Sequence, residues 1–536
     1  MTAIFCSSLC IGQTKNSKGN PEPKIVNIVN FIRDIEPREA NVTKDVLYQT
    51  VVKQIELMKT NHLGGTFLLQ YDALIDLRYQ ALLKALPKNK FEIGAWWELP
   101  QQLIEKAGIK WRGKYTWDWH SDIGFSVGYN PEERKKIIDT YFTDFKKIFG
   151  YYPKSVASWV IDGYSLTYMY DKYKIVASAN CKDQVGTDGF TLWGGYWNQA
   201  YYPSRINAYM PAQNVKNQLP VPVFRMLGSD PIRQYADGRS VTTLEPVYMH
   251  AGGNEQWIKW FLKSFSDDPS LGFNYTQAGQ ENSFTWDGMQ KGLAIQFPII
   301  AQLKEQGKVR VETMSESGSW FKKKYKVTPA TSFTVTKDLG DSDAQTIWYN
   351  SRFYRANFLW EKGNMLIRDI HLFNESIPDK YMKSVTTINQ SFFYTLPVVD
   401  GFNWGSKDKT AGLQLMVNIN GLDKAVHGGK AIFRNPDLHT AQVLWPSDLG
   451  TFQIELKEKT LKITCNNNLN SDWFLDLNIA QSAHTPIKSI TNESVIYEFD
   501  GHTYKLSASK GIFEKPTKGA KYRLRPKGQT ILLSMR

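Results

Sequence analysis

Apolar residues follow two different periods along the first two-thirds of the chain. Residues 24–32 are rich in β-branched side chains, which predicts a buried strand, and residues 42–61 place apolar side chains three or four positions apart, which predicts a helix. Further strands are predicted at 66–71, 91–97, 155–161, 174–179, 221–227, 271–277 and 309–313, and further helices at 77–86, 131–149, 255–265 and 282–306. Repeated strand–helix alternation predicts parallel strands joined by crossover helices. We therefore expect an α/β fold in which residues 21–326 form a distorted, TIM-like (β/α)7-8 barrel with the catalytic site.

The pattern changes after residue 326. Short strands with alternating apolar residues are predicted at 412–419, 442–445, 452–456, 461–465, 473–479, 495–499, 504–507 and 530–534. This spacing predicts an all-β sandwich domain over residues 327–536. Residues 326–329 are the candidate linker, and residues 338–374 are a candidate bridge between the two domains.

Composition and charge narrow the classes of function. The chain has 536 residues, of which 42% are hydrophobic and 22% charged, as in an ordinary globular protein. The net charge is +13, but the lysines are dispersed and no nucleic-acid motif accompanies them, so we expect a solvated surface and no nucleic-acid partner. No run reaches the ~18 apolar residues of a membrane span. The sequence leaves the oligomeric state open.

The first residues predict export. Residues 2–13 are similar to the end of a secretory signal peptide with a small-residue cleavage site, although the positive start of such a peptide is missing. We expect residues 1–20 to be a signal-peptide remnant and an irregular start, and the protein to be periplasmic or on the cell surface of a Gram-negative bacterium. A frayed apolar N-terminus is the alternative.

Acidic residues recur just after the predicted barrel strands. In a parallel barrel these strand ends form one rim, which is where active sites lie. The acids at this rim are Asp34, Glu36, Asp72, Glu98, Asp162, Asp183, Asp230 and Glu281. Any single one of them has an alternative role as a helix cap. Several carboxylates on one rim would shift one another's pKa values apart, which general acid and base roles require.

Aromatic and polar side chains near the same strand ends are candidates for binding a sugar. Aromatic faces suit the apolar face of a pyranose ring, and the chain has 17 tryptophans and 27 tyrosines. The candidate substrate-binding residues are Asp34, Trp96, Trp97, Glu98, Trp119, His120, Asp122, Trp193, Tyr196, Trp197, Arg225, Asp230 and Gln280. Buried tryptophans that only fill the core are the alternative for the loops that contain them.

The sequence gives little support for a metal site or a cofactor. It has eight histidines and no H-x-x-x-H or H-E-x-x-H pair, and the four cysteines have no zinc spacing. No G-x-G-x-x-G follows the first strand, and no P-loop is present. We therefore expect no cofactor and no metal.

Four segments carry a family resemblance. IRDIEPRE at residues 32–39, GFTLWGGY at 189–196, FRMLGSDP at 224–231 and GQENS at 279–283 resemble a two-domain family of gut bacteria of the Bacteroides type. That family is similar to the glycoside hydrolase/polysaccharide deacetylase barrel superfamily. The resemblance implies a carboxylate after the fourth strand and another late in the barrel, where Asp162 and Glu281 stand. The deacetylases' paired aspartates and H-x-x-x-H are not matched, because only Asp34 fits the first element.

These observations favour a carbohydrate-active enzyme whose substrate is an oligosaccharide or polysaccharide. The leading hypothesis is a glycoside hydrolase that uses Asp162, Glu281 and Glu36, with no role assigned to any one of them. A carbohydrate deacetylase with a metal held by Asp34 and His120 is one alternative. A glycan-binding protein without catalysis is the other.

Overall fold

A computed structural model describes residues 22–235, 242–407, 410–466, 471–516 and 519–536 of the chain. The predicted signal-peptide remnant at residues 1–20 lies outside the described residues. In the described part, no helix combines the length and the apolar character needed to cross a membrane.

The first part of the chain alternates strands and helices. Its helices are α1 Lys44–Thr60, α2 Tyr71–Ile75, α3 Leu77–Lys84, α4 Gln101–Lys106, α5 Pro131–Phe149, α6 Gly163–Tyr173, α7 Glu255–Asp267, α8 Thr285–Glu305 and α9 Met314–Lys324. Its strands are β1 Lys24–Ile32, β2 Gly65–Leu69, β3 Phe91–Trp96, β4 Ser155–Ala157, β5 Ala177–Asn180, β6 Gln184–Thr187, β7 Phe190–Trp193, β8 Ala200–Tyr201, β9 Pro203–Ser204, β10 Asn207–Pro211, β11 Val223–Arg225, β12 Asn274–Ala278 and β13 Arg310–Glu312.

The main sheet of this part is a nearly closed barrel. Its strands run in the order β12-β1-β2-β3-β4-β5-β11-β8, and all neighbours are parallel except β8, which is antiparallel to β11. In the part of the chain that the structure describes, no ladder joins β11 to β12, and β13 adds to β1 outside this order. The α/β barrel architecture agrees with the prediction, and the count of seven or eight β/α units stays a prediction.

Local sequence explains why the barrel elements begin and end where they do. Eight of the nine residues of β1 are buried, because apolar side chains point both into the barrel and toward the helices. Helix α5 begins at the capping box of Asn130 and Glu133 and ends at Gly150, whose backbone is left-handed.

The second part of the chain is built from strands that are antiparallel to their neighbours, with the exception of β18 at Ser391–Tyr394. They are β14 Thr331–Val335, β15 Gln345–Asn350, β16 Tyr354–Glu361, β17 Asn364–Leu372, β18 Ser391–Tyr394, β19 Leu396–Asp400, β20 Gly412–Ile419, β21 Leu422–Ala425, β22 Ile432–Asp437, β23 Thr440–Ser447, β24 Gly450–Lys457, β25 Thr460–Asn466, β26 Trp473–Asn478, β27 Ile487–Ile490, β28 Ser494–Phe499, β29 His502–Lys510, β30 Ile512–Glu514, β31 Arg523–Arg525 and β32 Thr530–Ser534. Short 3-10 turns lie at Ser126–Gly128, Arg233–Tyr235, Asn282–Phe284 and Leu339–Asp341.

Two large antiparallel sheets share one apolar core in this second part. One sheet runs β14-β15-β16-β17-β20-β26-β31-β30, and the other runs β22-β23-β24-β25-β32-β29-β28-β27. Phe358 and Leu413 from the first sheet and Trp445 and Leu533 from the second belong to the same buried cluster. The segment proposed as a bridge, residues 338–374, supplies three strands of the first sheet, and Trp348 and Arg355 within it contact the barrel part.

The two parts of the chain are interlocked. Strand β18 leaves the second part and pairs in parallel with β7, so that Ser391 lies opposite Phe190 and Tyr394 opposite Trp193. Elsewhere the Trp197 ring stacks on Trp348, with ring centroids 4.5 Å apart. The contact between the two parts therefore includes ladder hydrogen bonds and buried aromatic rings.

Candidate active site

A cavity of about 410 Å³ opens at the carboxyl ends of the barrel strands. We call it the rim cavity. Its lining residues follow β1, β4, β5, β11 and β12 and include the start of β7. They are Arg33, Glu36, Arg38, Glu39, Trp159, Gln184, Thr187, Asp188, Phe190, Leu227, Glu245, Tyr248, Glu281, Ser283 and Phe284. Its size is that of a small-molecule site, and its position is where parallel barrels hold their active sites.

Arg33 lies at the centre of the carboxylates. It follows β1 directly and is 1% exposed. Its guanidinium binds both oxygens of Glu98 at 2.8 and 2.9 Å, and it is 3.1 Å from Glu281 and 3.5 Å from Glu36. Burial alone would lower the pKa of Arg33, but these three carboxylates raise it. A permanent positive charge therefore holds three acids close together.

Hydrogen bonds between strand ends fix this cluster. The side-chain oxygen of Asn282 accepts from the Arg33 backbone N–H at 2.9 Å, and its amide nitrogen donates to the Arg33 carbonyl at 2.8 Å. Gly279 allows the close approach, since its φ is 98° and a Cβ there would lie 2.3 Å from the Val29 carbonyl oxygen. The end of β12 is thus tied to the end of β1, and this brings Glu281 to Arg33.

Glu36 is held as an anion. Its carboxylate accepts two hydrogen bonds of 2.7 Å from Arg38, and it also lies beside Arg33. Burial would raise the pKa of Glu36, but the two guanidinium groups outweigh burial and lower it. A carboxylate bound at both oxygens by a fixed arginine is poorly placed to give up or take a proton.

Glu245 has a different setting, although it lines the same cavity. It is 4% exposed, and its carboxyl accepts hydrogen bonds from Thr243 at 2.9 Å and from the Gln280 amide at 3.2 Å. Among the described residues no cation forms an ion pair with it. Burial raises the pKa of Glu245 despite these hydrogen bonds, and the charge of Glu281 adds to the rise. Gln280 joins the two acids, because its side-chain oxygen accepts the Glu281 backbone N–H at 2.9 Å.

Aromatic rings line the walls of the rim cavity. Trp159, 8% exposed, packs edge-on against Phe31 and Trp96. Phe284 is 38% exposed, which is unusual for a large apolar side chain. Rings of this kind suit the apolar face of a sugar.

The predicted site residues fall into three groups. Glu36 and Glu281 line the rim cavity, as residues after neighbouring strands should. Glu98 and Gln280 lie directly behind them and hold Arg33 and Glu245. The predicted residues with other contacts, none of which lines the rim cavity, are Asp34, Trp96, Trp97, Trp119, His120, Asp122, Asp162, Trp193, Tyr196, Trp197, Arg225 and Asp230.

Asp162 has the contacts of a structural residue. It is fully buried, it caps helix α6, and it forms an ion pair of 3.0 Å with the fully buried Arg134. Ser126 and Ser165 donate to its second oxygen at 2.6 and 2.7 Å. The expected position of Asp162 across the cavity mouth from Glu36 and Glu281 does not match this placement.

Most of the predicted aromatic residues fill the core. Trp96 stacks on Phe31 at 4.0 Å, and Tyr196 donates to the Pro329 carbonyl. Trp97 is buried beside Tyr141, and Trp119 stacks on Tyr115. The polar residues Arg225 and Asp230 pair with Asp183 and Arg233. Trp193 lines a separate cavity.

The residues proposed for a metal have separate partners. Asp34 forms an ion pair with Lys44, and His120 Nδ1 lies 2.5 Å from Asp118. Asp122 is half-buried, and Arg112 donates to its backbone carbonyl. Within the described ranges, no group of three or more histidine, cysteine, aspartate or glutamate side chains is placed to hold a metal ion.

Sequence reasoning missed several lining residues of the rim cavity. Arg33 and Arg38 stand in the quoted motif, but only their acidic neighbours were considered. Glu245 lies 20 residues beyond the end of β11, too far for a rule that considers strand ends. A search for acids anywhere in the loops that follow barrel strands would have found it.

Comparison with known proteins supports the fold. No protein-family model matches the chain, and no curated protein matches it either. A structure from Parabacteroides distasonis, named for glycoside hydrolase or deacetylase activity, matches with a TM-score of 0.51 at 15% identity, over 70% of this chain and 91% of that one.

Two structures named for polysaccharide deacetylation also match. The protein from Mycobacterium smegmatis has a TM-score of 0.37 at 12% identity, over 60% of this chain and 97% of its own. The protein from Pseudomonas aeruginosa PAO1 has a TM-score of 0.36 at 10% identity, over 58% and 96%. The predicted resemblance to glycoside hydrolase/polysaccharide deacetylase barrels is confirmed at the level of the fold, on the strength of the Parabacteroides structure.

Proposed function

We propose that the protein is a carbohydrate-active enzyme and, more specifically, a glycoside hydrolase that works in the rim cavity. The single observation that carries this proposal is the contrast between two glutamates lining one cavity. Glu281 lies 3.1 Å from a buried arginine, whereas Glu245 is buried without an ion pair among the described residues. Two carboxyl groups in opposite settings are what glycoside hydrolysis needs.

Each glutamate takes the role that its surroundings favour. Burial raises the pKa of Glu245, which favours a role as the general acid that protonates the glycosidic oxygen as the bond breaks. The ion pair of 3.1 Å with Arg33 holds the Glu281 carboxylate in place, so Glu281 acts on the anomeric carbon, either directly as nucleophile or by activating a water. Trp159 and Phe284 offer faces to the sugar rings.

Glu36 and Glu98 have a positioning role in this proposal. Both are bound to Arg33, and Glu36 is also bound to Arg38. They hold the guanidinium in place behind Glu281. The fold neighbour from Parabacteroides, named for hydrolase or deacetylase activity, is consistent with a carbohydrate substrate.

The test replaces each glutamate by its isosteric amide. Purified wild type is first screened with nitrophenyl glycosides and oligosaccharides to find a hydrolysed substrate. Glu245→Gln and Glu281→Gln should each lower kcat/KM by at least about 10²-fold, the usual effect of losing an acid or base. Glu305→Gln, on the exposed end of α8, is the matched control and should keep the wild-type rate.

Substrates with different leaving groups distinguish the role of Glu245 from that of Glu281. A dinitrophenyl glycoside needs no protonation to leave, so Glu245→Gln should lose much less rate on it than on an oligosaccharide. Glu281→Gln should lose comparable rate on both. Wild-type rates in both amide variants, with intact thermal melts, would contradict the proposal.

A metal-dependent deacetylase remains the alternative suggested by the names of the fold neighbours. It has less support, because Asp34 and His120 bind other partners and the described residues contain no group of candidate metal ligands. Dialysis against a chelator should therefore leave the rate unchanged. Acetate release that is lost on chelation and restored by zinc would favour the deacetylase.

A further inference from the structure

A second cavity, of about 520 Å³, lies between β7 and the second part of the chain. Its lining includes Trp193, His371, Tyr394, Asp400, Trp404 and Phe499. A neighbouring cavity of about 420 Å³ shares Tyr394 and Phe499 with it, so the two form one elongated cleft. We call this the cleft. Its volume is that of a site for a small oligosaccharide.

The cleft contains a hydrogen-bond acceptor that has no partner in the described structure. The Thr395 hydroxyl donates to the Gly194 carbonyl at 2.6 Å, so it must accept from His371 Nδ1, which lies 3.0 Å away. The hydrogen of the neutral ring is therefore on Nδ1, and Nε2 is left as an acceptor. Burial, followed by the charge of Arg355, lowers the pKa of His371 to about 3, so the ring is neutral near pH 7.

The groups around His371 Nε2 cannot satisfy it. Nε2 is buried without a hydrogen bond in the described residues, and the nearest carboxylate oxygens, of Asp400 and Asp369, are 3.7 and 3.8 Å away. These distances are too long for a hydrogen bond. The site therefore offers acceptors and calls for a donor such as a hydroxyl group.

Aromatic faces stand beside these acceptors. Tyr394 and Phe392 are half-buried on the same face of β18 and stack nearly parallel, with centroids 5.8 Å apart and planes at 11°. Phe499 packs edge-on against Tyr394 at 5.7 Å. These rings line the cleft beside the His371 and Asp400 acceptors, and aromatic rings are the side chains on which the apolar face of a sugar packs.

Charge narrows the chemical class of the ligand. Asp400, Glu498 and Asp500 line the second cavity, and none of its described lining residues is lysine or arginine. In the neighbouring cavity, Lys380 pairs with Asp500 at 2.8 Å, and Lys383 is the other lysine in the lining. The second cavity would therefore repel anionic ligands such as phosphates or uronic acids. A neutral compound with several hydroxyl groups and an apolar face fits, and a saccharide has both.

The second cavity is separate from the rim cavity. Strand β7 contributes Phe190 to the rim cavity and Trp193 to the second cavity. These residues are three positions apart, so their side chains point to opposite faces of the strand. Their separation along the strand is about 10 Å, at about 3.3 Å per residue. One straight oligosaccharide cannot lie on both faces of the same small sheet.

We propose that the cleft is a secondary binding site for neutral saccharides, apart from the catalytic centre. The expectation of a saccharide rests partly on the proposed function, but the binding itself does not require hydrolysis. Such a site would hold a polysaccharide near the rim cavity and raise its local concentration.

The test measures binding and hydrolysis separately. Maltohexaose, cellohexaose, xylohexaose and mannohexaose are titrated calorimetrically into the full chain carrying Glu281→Gln. At least one should bind. Adding Tyr394→Ala or Phe499→Ala to this chain should weaken the binding about tenfold or more, because a stacking face is lost.

Matched variants locate the binding. Tyr394→Phe keeps the ring and should keep the affinity, and Phe284→Ala in the rim cavity should leave binding in the cleft unchanged. With Glu281 restored, Tyr394→Ala should hydrolyse a small aryl glycoside at the wild-type rate but act more slowly on a polysaccharide. The inference is overturned if no hexasaccharide binds, or if folded Tyr394→Ala and Phe499→Ala variants bind as well as their parent. Failure of the proposed function would appear instead as full hydrolysis by Glu245→Gln and Glu281→Gln.

Discussion

The buried carboxyl of Glu245 determines how the rate should depend on pH. Burial raises the pKa of this group above the ordinary glutamate value of about 4. A general acid is active only while it is protonated, so kcat/KM should fall as the pH rises through the raised pKa. The measurement is the pH profile of kcat/KM on an oligosaccharide.

Two variants test whether Glu245 causes the fall of kcat/KM at high pH. Glu245→Gln cannot lose a proton and should show no fall on the alkaline side attributable to this group. Glu305→Gln should reproduce the wild-type profile. Thermal melts across the same pH range distinguish loss of activity from loss of fold. If kcat/KM of Glu245→Gln still falls at high pH as it does in the wild type, another group causes the fall.

At the residue scale, the sequence predicted some positions and could not predict others. Glu36 and Glu281 were found because each follows a barrel strand closely, and the ends of neighbouring parallel strands share a rim. Asp162 follows a strand just as closely, but the buried Arg134 that binds it lies 28 residues earlier, on helix α5. No local pattern shows which strand-end acid has such a partner.

Helix α6 supplies a prediction at the scale of the element. Asp162 caps this helix, and asparagine caps about as well, so Asp162→Asn should leave the cap intact. The variant nevertheless removes the negative charge that is paired with the fully buried Arg134, which should cost about 3–5 kcal/mol of unfolding free energy. Denaturant unfolding measures this loss.

The activity of Asp162→Asn decides whether Asp162 has a structural or a catalytic role. The fraction of Asp162→Asn that remains folded should keep a kcat near the wild-type value. The control is Asp171→Asn, whose ion pair with Arg205 is half-exposed and worth at most about 1 kcal/mol. A fully stable but inactive Asp162→Asn would restore Asp162 as a catalytic residue.

Elements were predicted best where the chain carries explicit signals. Strand β1 and helix α5 match their predicted bounds, the latter because a capping box and a terminal glycine delimit it. Helix α6 was missed, since its sequence GYSLTYMYDKY is rich in aromatic residues that form helices only weakly alone. Helix α9 was missed for a similar reason, because glycine and serines interrupt it. Tertiary packing stabilises both.

At the scale of the whole molecule, buried charges hold the two parts together. Arg355, on β16, binds Asp183 at 2.5 Å, donates to the Gly195 carbonyl at 2.7 Å and binds Asp369 at 2.8 Å. Asp183 and Gly195 belong to the barrel part. We therefore expect one cooperative unfolding transition rather than two.

Arg355→Met tests this coupling. It removes the buried positive charge that Asp183 and Asp369 share, although Asp183 keeps its ion pair with Arg225, and it should lower the free energy of unfolding by about 3–5 kcal/mol. Calorimetry should show one transition that moves as a whole to lower temperature. Arg205→Met, which removes an exposed pair, should shift it little. Two resolved transitions would mean that the parts unfold independently.

The sequence pattern changes near residue 327 from alternating strands and helices to short strands alone. The interlocking of the two parts has no such sign in the sequence. The pairing of Ser391 with Phe190 joins positions about 200 residues apart, and neither strand carries a local sign of its partner. Short strands that pair over such distances are selected by the assembled fold, not by their own pattern.

The pairing of β7 with β18 also determines when the rim cavity can be completed during synthesis of the chain. The ribosome releases the barrel strands first, and Phe190, which helps to form the wall of the rim cavity, leaves long before the strand beside it. Until residues 391–394 emerge, β7 lacks its parallel neighbour and exposes an unpaired edge, which is a template for association with other chains. The rim cavity is therefore completed late, and a nascent chain that pauses in its last third should depend on chaperones.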